Sequence, residues 1–89
     1  MSPADTDSGE MARLRWRCRR GMQELDVMLG DWLERCWPSA DQGRRQAFST
    51  LLDQEDDRLW SWLSGQSEPD AGLMDIVNDI RARFFGPGR

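Results

Sequence analysis

One stretch, Arg19-Arg20-Gly21-Met22-Gln23-Glu24-Leu25-Asp26, holds the residue types best placed to do chemistry in this chain. It sets guanidinia, a bare backbone and carboxylates within a few positions of one another, with no polar linker between them. Arginine's planar fork of donors matches a carboxylate or a carbonyl, and glycine admits close approach of another backbone. Such a set grips a polypeptide and breaks no bond. A purely structural account fits the same residues. Gly21 reads as the left-handed residue just past a first helix. Arg19 and Arg20 then meet the negative end of that helix in its last turn, and Glu24 and Asp26 lie in the first turns of the next helix, where anions are favoured.

Catalysis has little to work with. The chain has no histidine, the side chain that titrates near neutral pH and serves most acid–base chemistry. Carboxylates are available at Glu24, Asp26, Asp53, Glu55, Asp56 and Asp57. The run Glu55-Asp56-Asp57 lacks the glycine and ligand spacing of a calcium loop, however, and helix capping accounts for it. Neither a glycine-rich phosphate loop nor a nucleophile elbow occurs. Cys18 and Cys36 are too few, and too far from other ligand types, to hold a metal; they read as buried thiols in a reducing compartment. No catalytic, cofactor-binding or metal-ligating residue is expected, so the chain reads as a non-enzyme. Arg13, Arg15, Arg17, Arg19 and Arg20 surround Trp16 and could track a phosphate backbone with the indole stacked on a base. The net charge of −4 and the lack of a nucleic-acid motif weigh against that partner, and a solvated helix face explains the cluster as well.

The elements that must position these residues are helical. At 89 residues, 38% hydrophobic and 31% charged, the chain is one small domain without room for a large cavity. Residues 1–9 are expected to be a disordered tail, residues 10–85 a helical bundle, and 86–89 a C-terminal tail. A first helix runs from about Glu10 to Arg20, with Met11, Leu14 and Cys18 on one stripe. Trp16 is off it, either packed on a neighbouring helix or exposed in a contact surface. Leu25, Met28, Leu29, Trp32, Leu33 and Cys36 give the clearest amphipathic pattern, ended by Pro38. Ser39-Ala40-Asp41-Gln42 predicts a capping box for a third helix carrying Ala47, Phe48, Leu51 and Leu52 inward. Asp56 is the expected cap of a brief fourth helix with Leu59 and Trp62 in the core, stopped by Ser64-Gly65. Asp70 opens a fifth, with Leu73, Ile76, Val77, Ile80 and Phe84 on one face. No period-2 run is long enough for a strand, so the fold class is all-α, a five-helix bundle. No apolar run approaches the roughly 20 residues that cross a bilayer, and the acidic start is unlike a signal peptide. A soluble, cytoplasmic protein without direct membrane insertion is expected.

Leu14-x-Trp16-x-Cys18-Arg19-Arg20-Gly21-Met22-x-Glu24-Leu25-Asp26, with Leu51-Leu52-Asp53 and Asp56-x-x-Leu59-Trp60-x-Trp62-Leu63 downstream, resembles the SdhE-type FAD assembly factors. These small helical proteins promote covalent flavin attachment to the flavoprotein subunit of succinate dehydrogenase. The resemblance covers about Leu14 to Phe84 and implies a chaperone that holds its client while a client histidine attacks the flavin. It implies a client-binding patch of Arg20, Gly21 and Glu24, flanked by Arg19 and Asp26. The FAD would belong to the client and not be stably held by this chain. The flavoprotein of fumarate reductase would be a second client. The rival reading is a helical adaptor, or an antitoxin-like regulator, whose partner is not a flavoprotein.

Overall fold

Met22, extended at φ −110° and ψ 115°, opens the helix that organises the core. In the computed structural model, which describes residues 3–85 and residues 3–8 by backbone alone, this is the second of five α-helices. The elements in order are α1 (Pro3–Arg17), α2 (Gln23–Arg35), a 3-10 turn (Trp37–Ser39), α3 (Gln42–Leu52), α4 (Asp56–Leu63), a second 3-10 turn (Ala71–Leu73) and α5 (Met74–Phe85). There is no strand among the described residues, and the all-α, five-helix expectation holds.

The apolar stripe of α2 lies at the centre. Leu25, Met28, Leu29, Trp32 and Leu33 are all buried, and α2 packs against α1, α5 and the first 3-10 turn. Phe48, Leu51 and Leu52 of α3, Leu59, Trp62 and Leu63 of α4, and Ile76, Val77 and Ile80 of α5 complete the core. Trp32 stacks on Phe48 at 4.6 Å, and Trp37 meets both rings edge-on, arrangements that ring quadrupoles favour. The Trp32 indole N–H donates to Asp79 Oδ2 at 2.7 Å, and Arg44 pairs with that oxygen at 3.1 Å. A buried polar edge is thereby satisfied and three helices are tied together.

Several boundaries differ from expectation, each for a local reason. α1 begins at Pro3, not near Glu10; proline's fixed φ suits a first helical position. Met1, Ser2 and the expected tail at 86–89 lie outside the described residues. α1 also stops at Arg17, so Arg19 and Arg20 are not in its last turn; Arg15 and Arg17 are. Asp41, not Ser39, caps α3, accepting from the Arg44 N–H at 2.8 Å, because Ser39 is taken into the 3-10 turn behind Pro38. The N-cap of α4 is Glu55, and Asp56 is the first helical residue. Asp70 precedes a 3-10 turn and not α5 itself. α4 ends as Ser64-Gly65 predicts. Gly65 sits at φ 85°, its N–H donates to Trp62 O, and Gln66 N–H reaches back to Ser61 O, the paired bonds that close a helix through a left-handed residue. Phe84 is on the stripe by sequence yet 43% exposed, its ring meeting that of the likewise exposed Phe85 edge-on at 5.3 Å. Cys36 is half-buried, whereas Cys18 is in the core.

Candidate functional site

The corner between α1 and α2 is built by backbone bonds first. Cys18 N–H donates to Leu14 O and Arg19 N–H to Trp16 O, closing α1. Gly21 then turns the chain at φ 88°, a conformation that L side chains avoid, and Met22 N-caps α2, its carbonyl accepting from Asp26 N–H at 2.9 Å. The glycine is needed for its dihedral angle and not for space, since a Cβ there would meet nothing within 4 Å. Gly21 is thus left-handed as expected, but in a linker and not directly after the helix.

Arg20 and Asp26 hold this corner in place from within. The Arg20 backbone N–H donates to Asp26 Oδ1 at 2.6 Å. The Arg20 guanidinium, with its side chain 14% exposed, donates through Nε to Asp56 Oδ1 at 2.8 Å. Through Nη1 it reaches Arg17 O at 2.9 Å and Leu52 O at 2.8 Å, and through Nη2 it reaches Gln54 O. One side chain therefore closes the carbonyl ends of α1 and α3 and fixes the loop before α4. The sequence assigns Arg20 to a partner, whereas in the structure its donors are taken by a carboxylate and carbonyls of this chain. Asp26 and Asp56 hold Arg20; Glu24 does not.

Glu24, Gly21 and Arg19 are the outward residues of the corner, all exposed. Neither Glu24 nor Arg19 has an ion-pair partner among the described residues. The Arg19 guanidinium lies over the Trp16 ring, 5.6 Å from its centroid, and Trp16 is 72% exposed. Arg19 also lines an open groove of about 660 Å³ between α1 and α2, together with Arg15, Asp26, Val27, Gly30 and Glu34. Val27 is half-exposed there. Sequence reasoning passed over Val27, although an apolar residue off the stripe of α2 was its signal.

Ion pairs tie α1 to α2 and to the end of α3. Arg15 reaches across to Glu34 with two hydrogen bonds. The shared bonds raise the Arg15 pKa and lower that of Glu34. Arg17 binds Ser49 and Asp53 of the α3 end. Burial pushes the Cys18 thiol up to about 12, far from the range of a nucleophilic cysteine. Among the described residues, no group of three His, Cys, Asp or Glu could hold a metal ion.

Comparison with known proteins matches residues 12–84 to a protein family described as the flavinator of succinate dehydrogenase. The chain is similar to the FAD assembly factor SdhE of Xylella fastidiosa, 41% identical over 81 residues, covering 90% of this chain and 84% of that protein. It is 40% identical over 75 residues to the FAD assembly factor SdhE of Legionella pneumophila, covering 84% and 95% respectively. Identity to the corresponding factor of Methylococcus capsulatus is 42% over 74 residues, covering 82% and 89%.

Proposed function

The chain belongs to the flavinator family of succinate dehydrogenase, and from that premise we propose that it binds the flavoprotein subunit through the α1–α2 corner and promotes covalent FAD attachment by holding that subunit in a competent conformation. The observation that carries this reading is a division of labour at the corner. Arg20 and Asp26 are tied inward, while Arg19, Gly21 and Glu24 are exposed, and neither Arg19 nor Glu24 has an ion-pair partner among the described residues.

In this reading Glu24 pairs with a client base or backbone donor, and Gly21 lets the client backbone come close. Arg20 and Asp26 act at one remove, as positioning residues. The flavin and the client supply the bond-forming groups, so a chain without histidine needs only to place them. Near-attack positioning lowers a barrier by several kcal/mol, about 7–11 at the extreme. FAD belongs to the client and is not stably held by this chain, and the protein acts as a chaperone and not as an enzyme. The same corner would serve the flavoprotein of fumarate reductase as a second client. No described helix is long and apolar enough to cross a membrane, and we assign the protein to the cytoplasm, beside the newly made flavoprotein.

Co-expression of the flavoprotein with wild-type chain or with Glu24→Ala tests the assignment. In-gel flavin fluorescence of the flavoprotein should fall with the variant while the amount of soluble variant is unchanged. Equal fluorescence with both would remove Glu24 from the docking surface.

A further inference from the structure

Three of the five arginines between Arg13 and Arg20 are engaged inside the molecule. Arg15 pairs with Glu34, Arg17 with Asp53 and Arg20 with Asp56. Arg13 and Arg19 have no such partner among the described residues, and both are exposed. Trp16 stands beside them, one helical turn past Arg13 and under the Arg19 guanidinium. A tryptophan 72% exposed gains nothing from the fold's own core. The contact with Arg19 nevertheless orders both side chains before any partner arrives, which lowers the entropy lost on binding.

We propose that Trp16, with Arg19 laid over its ring, is an aromatic anchor of the docking surface, taking a flavoprotein segment that sets an apolar side chain against the indole and a carboxylate against Arg19. The inference rests on the flavoprotein reading above and adds a partner chemistry to it. Charge complementarity selects an acidic segment, because Arg13 and Arg19 are exposed guanidinia without a carboxylate partner among the described residues. The surface is continuous with the corner: Arg19 lines the same groove as Asp26 and Val27. Tryptophan and arginine are also the side chains that most often dominate the energy of protein interfaces. Two guanidinia of this cluster without a carboxylate partner among the described residues are too few to follow a phosphate backbone, whose binding grows with each phosphate neutralised.

The test is titration calorimetry of the purified flavoprotein subunit with wild-type chain, Trp16→Ala, Trp16→Phe, Arg19→Glu and Glu24→Ala, with a thermal melt of each variant. Trp16→Ala should weaken binding by roughly 30-fold, the range of an interface anchor. Trp16→Phe should recover part of that, Arg19→Glu should also weaken binding, and the melts of the Trp16 variants should match wild type. If Trp16→Ala binds as wild type does while Glu24→Ala is weakened, the anchor is wrong and the corner stands. If wild type itself fails to bind the flavoprotein, both fall. Tight, Trp16-dependent binding of a single-stranded RNA at physiological salt would overturn the anchor in favour of a nucleic acid.

Discussion

The Arg20 guanidinium and the Asp56 carboxylate, 36 residues apart in sequence, meet at 2.8 Å. Their pairing ties the α1–α2 linker to the start of α4, and the remaining Arg20 donors close the carbonyl ends of α1 and α3. The residue at the heart of the sequence motif is therefore a clamp that gives the exposed corner its shape.

Arg20→Ala should consequently destabilise the fold. It leaves the Asp56 carboxylate and several part-buried carbonyls without their donor, a loss of about 2–3 kcal/mol for bonds of this charged kind. In a domain of this size that lowers Tm by roughly 10–20 °C. Arg20→Lys should recover only a minor part, because a single ammonium cannot reproduce the fork. A melt of Arg20→Ala indistinguishable from wild type would mean that the guanidinium is not a clamp.

Glu24→Ala should behave in the opposite way. Its side chain is exposed and unpaired among the described residues, so stability should stay within about 0.5 kcal/mol of wild type while covalent FAD on the flavoprotein falls. Urea denaturation alongside in-gel fluorescence separates the two effects.

At Gly21 the backbone angle sets the result. Gly21→Ala should cost about 1 kcal/mol through φ alone, and Gly21→Asn less, since asparagine enters the left-handed region more readily. Urea midpoints in the order wild type, Asn, Ala would support this. An alanine variant as stable as wild type would show that the linker relaxes.

Alkaline pH should weaken the fold through Cys18. Burial raises the thiol from its ordinary 9.0 to about 12, so between these values the unfolded chain has lost a proton that the folded chain keeps. Stability is then complete below pH about 9 and declines as pH rises towards about 12. The half-buried Cys36 thiol is shifted in the same direction, also by burial. Urea midpoints measured from neutral to alkaline pH should fall less steeply for Cys18→Ala than for wild type; parallel slopes would contradict the assignment.

Asp79 offers a test of the core. Asp79→Ala leaves the Trp32 indole N–H without its acceptor, a penalty of about 1–3 kcal/mol. Asp79→Asn keeps an acceptor oxygen and should lose less. Denaturant titration of the two variants checks the order.

The helices were legible in the sequence because apolar spacing is local. Leu25, Met28, Leu29, Trp32 and Leu33 fall on one face of α2 whatever surrounds them, and Trp62 is core because Leu59 and Leu63 share its face. The inward turn of Arg20 was not legible. Its acceptors include the Leu52 and Gln54 carbonyls, backbone atoms that leave no mark in residue type and come near only when α3 packs on α1. Asp56 read as a helix cap for the same reason: the sequence offered it one partner and the fold supplied another. Ser39 lost its capping role to Asp41 because Pro38 starts a 3-10 turn before the helix. At the corner, residue types do not say which side chains face out. That division depends on contacts across more than 30 positions.

The most direct measurement is the intact mass of the succinate dehydrogenase flavoprotein subunit, purified under denaturing conditions from cells with and without this chain. The account predicts a subunit carrying the added mass of FAD when the chain is present, and mostly unmodified polypeptide when it is absent. Full covalent flavin in the absence of the chain would contradict it.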